Sequence, residues 1–496
     1  MSKELADLLF QKVVDMPADY LKFYPKRLTP AFRLAPSPTG YLHLGNFYSG
    51  FIQFFEAKRN KGIFFLRLED TDQKREIKGA GEIAYTTLVN YGVTPHEGYR
   101  GDSLPEIGGY GPYVQSKRVD IYHCFAKDLI RRGNAFPCFC GVTQSKKEIL
   151  EKREKELQEN EGIAEKDCCR DLTFDQIKEK VSKGEGFAIR LRSKGDGTKT
   201  RKVVDLFKGE REIKENAKDI ILLKRNGIPP YALAHMIDDT LMRTTKVIRG
   251  EDWYASLPSH IELFEAAGLP LIQYGHNPLI CTIDERSGNK RKLSKRYDPH
   301  ADMRYYNQVG YPTEAVHEYL LTLANSDFEP WRIANPNKYI DEFPFSLDKI
   351  GSNNPIFDLH KLDHISKNII AKKTCEQIIK EVTEFFKGKE IDTEKIFQIL
   401  AIDRETDKPR KDIAKYSEIP FVYNYLFQAP ESGSNDVARE YAKYYNHDAN
   451  AEDWNAYIGK RKKDVRLALT GKESGPDLYK IMQILGEEEV LKRLSN

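Results

Sequence analysis

Long apolar runs, a dominant charge sign, cysteine and repeats are all scarce in this 496-residue chain, and each scarcity rules something out. No apolar stretch approaches the ~20 residues a membrane helix needs, so a helical membrane protein is excluded. The opening residues Met1 to Asp19 scatter Lys3, Glu4, Asp7, Lys12 and Asp15 among apolar neighbours. A secretion signal carries an uninterrupted apolar core after a basic start, so the expectation is a soluble, cytoplasmic protein. Lys and Arg total 78 against 75 Asp and Glu, a net charge of only +3. That balance does not exclude nucleic acid, because binding needs a local basic face rather than a basic total. Seven cysteines is a small and odd number for this length, which argues against a disulfide framework. There is no internal repeat and no low-complexity tract. What is present is 40% hydrophobic residues, enough for several buried cores, and 31% charged residues, mostly solvated surface. The length fits about three domains.

Residues 31–34 (Ala-Phe-Arg-Leu) read as a short buried strand. Two prolines and a glycine in Pro36-Ser37-Pro38-Thr39-Gly40 break regular structure and predict a loop. From Leu44 to Arg59, Phe47, Phe51, Phe54 and Phe55 fall at helical spacing. Ile63 to Leu68 reads as a strand that ends in the acidic Glu69-Asp70-Thr71-Asp72. Strand, loop, helix and strand in this order describe a βαβ unit, the opening of a doubly wound nucleotide-binding sheet. The polar stretch from Glu148 to Asp167 reads as an exposed helix or arm. Residues 186–224 alternate short β-like runs with glycine turns and read as an inserted α+β domain. Beyond Tyr339 the pattern turns helical, rich in Lys, Glu and Tyr.

Two segments could carry chemistry. In Tyr41-Leu42-His43-Leu44-Gly45-Asn46, a loop entering a helix aims backbone N–H groups at an anion, and Gly45 permits close approach. Taken alone, this reads rather as a surface turn with an ordinary histidine. Far downstream, Lys290-Arg291-Lys292-Leu293-Ser294-Lys295-Arg296 places five positive charges in seven residues. Such lysines can neutralise a polyphosphate; taken alone, they read rather as a solvated basic loop or a nonspecific nucleic-acid patch.

Together the two segments resemble the paired signature of class I aminoacyl-tRNA synthetases, and the chain is most similar to the glutamate-specific branch. Arg33 to Gly40 resembles that branch's first strand and loop, and Leu68 to Asp72 its second strand end. Gly111 to Ser116 and Val247 to Asp252 match further blocks in order. Arg466 to Gly471 and Ser474 to Pro476 match again near the C-terminus.

The resemblance implies a multidomain fold. A Rossmann-type α/β catalytic domain (28–112 and 229–285) is interrupted by an α+β insertion (113–228) that binds the tRNA acceptor end. A linking domain (286–364) carries the Lys-Leu-Ser-Lys-Arg loop, and an α-helical anticodon-binding region (365–496) follows. It implies that ATP and glutamate react to glutamyl-adenylate, which then acylates the 3′ end of tRNA-Glu. His43 and Asn46, with Lys292 and Lys295, would act on the ATP phosphates. Thr39, Gly45, Glu251 and Lys295 would complete the ATP site. Arg33, Ser37, Glu69, Tyr231, His235 and Arg249 would hold glutamate, since an arginine fork pairs bidentately with carboxylate. His235 stands where relatives commonly have Asn, and a histidine differs in geometry and charge. Mg²⁺ on the phosphates follows from the ATP chemistry. A monomer is the family expectation.

Cys138-Phe139-Cys140 and Cys168-Cys169-Arg170-Asp171 offer soft ligands in two clusters. Two readings stand: reduced cysteines without metal, or a four-ligand zinc site. In the second, the resemblance implies Cys138, Cys140, Cys169 and Asp171, with Cys168 spare and the zinc structural. Rival readings are a glutaminyl enzyme, a truncated tRNA-modifying relative and a binding protein without catalysis. Against them stand Pro36-Ser37-Pro38 where the first carries Pro-Glu-Pro, a domain-sized C-terminal extension, and the intact His43 and lysine set. An enzyme that also charges tRNA-Gln stays open. Of the C-terminal aromatics, Tyr416, Phe421, Tyr423, Tyr441 and Tyr445 read mostly as core.

Overall fold

The computed structural model describes residues 2–13, 17–140, 169–431 and 433–496. The polar stretch Glu148 to Asp167 and Cys168 lie outside these residues. The chain divides into two compact units, one formed by Met1–Arg304 with Thr322–Phe357, the other by Tyr305–Leu321 with Asp358–Asn496.

The first unit is built on parallel strands. β1 (Ala31–Leu34) pairs with β2 (Ile63–Leu66) in the register Arg33 to Phe65, and β2 pairs with β3 (Glu97–Gly98). All four residues of β1 are buried, as expected of a strand covered on both faces. β9 (Lys246–Gly250) pairs in parallel with β10 (Gln273–Asn277). Thr245, just before β9, donates its N–H to the Ala31 carbonyl at 2.8 Å, which docks β9 on the free edge of β1. The strand order is therefore 3-2-1-9-10, with its reversal between β1 and β9. Ligands in such sheets bind outside the carboxyl ends at that reversal.

The helix Leu44–Arg59 packs on β1 closely enough that a Cβ on Gly50 would sit 3.0 Å from Leu34 Cδ2. Phe47 and Phe51 are fully buried and Phe55 nearly so, which explains their spacing. Lys58 and Arg59 in the last turn complement the negative end of the helix dipole.

Between β3 and β9 the chain leaves the sheet. β4 (Ala135–Cys138), β5 (Ala188–Leu191) and β8 (Ile221–Leu223) form a three-stranded antiparallel sheet, and β6 (Thr200–Asp205) pairs with β7 (Gly209–Lys214) as a hairpin. The helix Val119–Arg131 backs this insertion. The N-terminal helix Ser2–Leu9 docks through Asp7, which pairs with Lys127 and Arg131, each at 3.1 Å. β11 (Cys281–Ile283) and β12 (Lys290–Lys292) then form a hairpin whose second strand opens the basic loop.

Among its described residues the second unit has helices and no strands. Its core gathers Ile378, Val382, Ile396, Leu469, Ile481 and Val490. Side-chain caps start the helices: Thr374 with Gln377 in a capping box, Asp392, Asn450 and Asp477. Tyr416, Tyr423 and Tyr441 are buried, whereas Phe421 is exposed. The stretch 286–364 is divided between the units, because Tyr311 binds Asp363 and Glu314 pairs with Lys373 at 3.0 Å.

Candidate active site

The two basic and histidine-bearing segments meet. His43 caps the helix Leu44–Arg59, and its Nδ1 accepts the Gly45 N–H at 2.9 Å. Its Nε2 lies 3.2 Å from the Leu293 carbonyl, so Nε2 carries the proton and donates. Burial, with Lys295 and Lys292 nearby, pushes His43 down to about 4, leaving a neutral ring. The Gly45 N–H feeds the imidazole, and a Cβ on that residue would crowd Nδ1 at 3.2 Å. Lys295 Nζ reaches over the loop to the Tyr41 carbonyl. The resulting cleft is lined by Pro36 through Leu42, Asn46, Leu68, Ala80, Ala84 and Lys295. It thus brings together Ser37, Thr39, Asn46 and Lys295 from the expected set. Lys292 stands at the end of β12, paired with Asp252 at 2.7 Å, both half exposed and displaceable. Glu251 pairs with Lys208 of the insertion at 2.8 Å.

The reversal between β1 and β9 holds the other expected residues. The helix Tyr231–Leu241 presents Tyr231, His235, Asp238 and Asp239 at spacings that share one face. Arg33 and Arg67 converge on Asp239: Arg33 with two bonds at 3.2 and 3.1 Å, Arg67 at 2.8 Å. Arg67 also donates to Glu69 at 2.9 Å. Burial pushes the Asp239 carboxyl up, but the two guanidinium groups outweigh it and hold the carboxyl far below its usual range. Burial raises Glu69 despite Arg67 and Arg33. Asp238 accepts from Arg118 at 2.6 Å, Gln115 at 2.9 Å and Tyr122 at 2.8 Å.

Arg249 is held differently. Its Nε donates to His276 Nε2 at 3.0 Å, Nη1 to the Tyr231 hydroxyl at 3.3 Å, and Nη2 to His260 Nδ1 at 3.1 Å. Every one of these acceptors is neutral. Among the described residues no carboxylate pairs with Arg249, so its charge is buried without a counter-ion, whereas Arg33 has Asp239. Tyr231 stacks on His235 with ring centroids 4.7 Å apart and packs at a tilt against Trp253 at 4.3 Å. His235 is fully buried, and its nitrogens bond the Ala232 carbonyl at 3.1 Å and the Tyr274 hydroxyl at 2.7 Å. The carbonyl can only accept, so Nδ1 carries the proton and Nε2 accepts from Tyr274. Expected to touch glutamate, His235 is instead engaged within the protein and supports Tyr231 from beneath.

In the insertion, sulfurs of Cys138, Cys140 and Cys169 lie within 4.8 Å of one another. The Phe139 N–H points at Cys169 Sγ at 3.4 Å, and Arg225 holds the Phe139 and Cys140 carbonyls at 2.7 and 2.8 Å. Three thiols fit three of the four positions of a zinc site. Asp171 is not drawn into this group: its side chain is 90% exposed and faces Arg192 at 3.4 Å.

Sequence reasoning missed Arg67, Asp238, Asp239, His260 and His276. Two adjacent acids inside the apolar run Ala234-His235-Met236-Ile237-Asp238-Asp239 were the available signal, since buried carboxylates need cationic partners.

Residues 31–363 match the family described as the catalytic domain of class I tRNA synthetases (E and Q), and residues 448–496 match an anticodon binding domain. The sheet order, the histidine-capped loop and the lysine loop are thus those of a class I aminoacyl-tRNA synthetase. The glutamate–tRNA ligases of Acetivibrio thermocellus and Clostridium perfringens strain 13 are each 38% identical to this chain, covering 99% of it and 99% and 100% of their own lengths. The crystal structure of glutamate–tRNA synthetase from Elizabethkingia anophelis is 25% identical, covers 94% of this chain and 99% of its own, and superposes with a TM-score of 0.76. The chain belongs to the glutamate–tRNA ligase family.

Proposed function

We propose that this protein activates L-glutamate with ATP and transfers it to the 3′ end of tRNA-Glu. The observation that carries this reading is the His43–Leu293 bond, which joins both phosphate-handling segments over one cleft. Phosphoryl-type chemistry of this kind needs positioning and charge neutralisation rather than a protein nucleophile. The Gly45 and Asn46 corner seats the triphosphate, with Thr39 and Glu251 beside it. Lys295 and Lys292, once released from Asp252, stabilise the charge that grows as pyrophosphate departs. Mg²⁺, when bound with ATP, would supply further charge neutralisation there.

Glutamate lies at the sheet reversal. Its side-chain carboxylate pairs with Arg249, the buried cation without a counter-ion. Arg33, already neutralised by Asp239, orients the pocket from the opposite strand. Glu69 and Ser37 receive the substrate ammonium, and Tyr231 packs on its methylenes. Residues 113–228 take the acceptor end. Cys138, Cys140 and Cys169 there would hold a structural zinc, which would stiffen the insertion. The enzyme acts as a monomer in the cytoplasm, where tRNA charging runs. Glutamate-dependent ATP–pyrophosphate exchange, with and without tRNA, tests the reaction. Charging purified tRNA-Glu and tRNA-Gln separately tests whether the enzyme accepts both; no exchange with either tRNA overturns the reading.

A further inference from the structure

The insertion reaches the glutamate pocket through two residues outside the predicted set. Asp205 closes β6, where the Leu206 N–H bonds the Tyr274 carbonyl of β10 at 2.9 Å and fixes the hairpin to the catalytic sheet. Asp205 is 2% exposed and His276 is fully buried. Asp205 Oδ1 accepts three backbone N–H groups, from Phe207 at 3.0 Å, Lys208 at 3.1 Å and His276 at 3.3 Å. Its Oδ2 lies 2.6 Å from His276 Nδ1. On the far side of that ring, Nε2 meets Arg249 Nε at 3.0 Å. A guanidinium only donates, so Nε2 is bare and the proton sits on Nδ1. Asp205 is what keeps it there, because the partner of one ring nitrogen fixes the role of the other.

We propose that Asp205 and His276 are positioning residues for Arg249, so that the β6–β7 hairpin of the insertion sets the aim of the guanidinium that receives the glutamate side chain. This rests on the reading of Arg249 as the carboxylate partner of the substrate. Without a lone pair on His276 Nε2, two N–H groups face each other and Arg249 must turn. A carboxylate at Oδ2 meets this requirement; an amide does not. In Asp205→Asn the three backbone N–H groups claim the amide oxygen, the NH₂ faces Nδ1, and the imidazole takes the wrong tautomer.

The test is steady-state charging of tRNA by the full-length chain, with glutamate and ATP titrated separately. D205N is expected to raise KM for glutamate roughly tenfold, the worth of one hydrogen bond to a charged group, while KM for ATP moves less than about twofold. His276→Gln places an amide oxygen where Nε2 was and keeps KM for glutamate near that of the parent. His276→Asn is too short to reach Arg249 and raises it. On top of H276Q, D205N loses its effect, because no tautomer is left to set. The inference is overturned if D205N leaves KM for glutamate unchanged, if the glutamate and ATP constants rise together, or if D205N acts undiminished in the H276Q background. Should D205N fail to fold, H276Q and H276N decide, and equal KM for glutamate in the two overturns the inference. Arg249→Ala separates the levels: if it leaves KM for glutamate unchanged, the reading of the pocket fails. If it raises KM while D205N does not, only the positioning role fails.

Discussion

His43 and Leu293, 250 residues apart, share a hydrogen bond in which the imidazole donates to the backbone carbonyl at 3.2 Å. Lys292 and Lys295 lie on either side of Leu293, so the imidazole that caps the helix Leu44–Arg59 also anchors the loop that carries the cations. Replacing Lys292 or Lys295 with Ala is expected to slow adenylate formation by roughly 10²-fold each, with KM for glutamate nearly unchanged. His43→Ala should lose a similar factor, since it removes both the helix cap and the anchor. Pyrophosphate exchange at saturating glutamate reads this directly; full exchange in both lysine variants would sink the assignment of the loop.

Asp239 stands between two buried guanidinium groups. Asp239→Asn leaves Arg33 and Arg67 without their shared counter-ion, which costs about 3–5 kcal/mol for a buried pair. The midpoint of urea unfolding should drop accordingly, and a variant as stable as the parent would show that the network is not what holds these strands and the helix Tyr231–Leu241 together.

Stability should depend on pH below neutrality. Folding holds His43 at about 4 and His235 at about 3, against a usual 6.5 for both. Between these values the unfolded chain binds protons that the folded chain refuses. Stability is therefore complete above about pH 6.5 and falls as pH drops toward 4. Thermal unfolding from pH 7.5 to 5 measures the slope. His235→Asn should flatten it, having removed one such proton; an unchanged slope would place the effect elsewhere.

For the cysteines, metal analysis of the purified protein should find zinc that Cys169→Ser loses and Asp171→Ala retains. Zinc lost from both variants would return Asp171 to the ligand set, and its absence from the unaltered protein would favour plain reduced thiols.

The elements were legible in local pattern, whereas contacts between distant residues leave no local mark. The strand at 31–34 and the helix Leu44–Arg59 were legible because burial on a sheet and aromatic spacing leave marks within a few residues. The meeting of His43 with Leu293 was legible only through resemblance, since nothing local to either segment points to the other. The counter-ions escaped notice for the same reason. Asp239 lies 206 residues from Arg33 and 172 from Arg67, and no periodicity encodes such a meeting. Asp171 misled because ligand spacing is a one-dimensional cue; in three dimensions its carboxylate turns outward to Arg192.

Arg33 is paired with a carboxylate while Arg249 has only neutral acceptors, so Arg249 is the guanidinium on which an added anion gains most. If Arg249 receives the glutamate side chain, chloride at high concentration is expected to compete with glutamate there and to raise its KM.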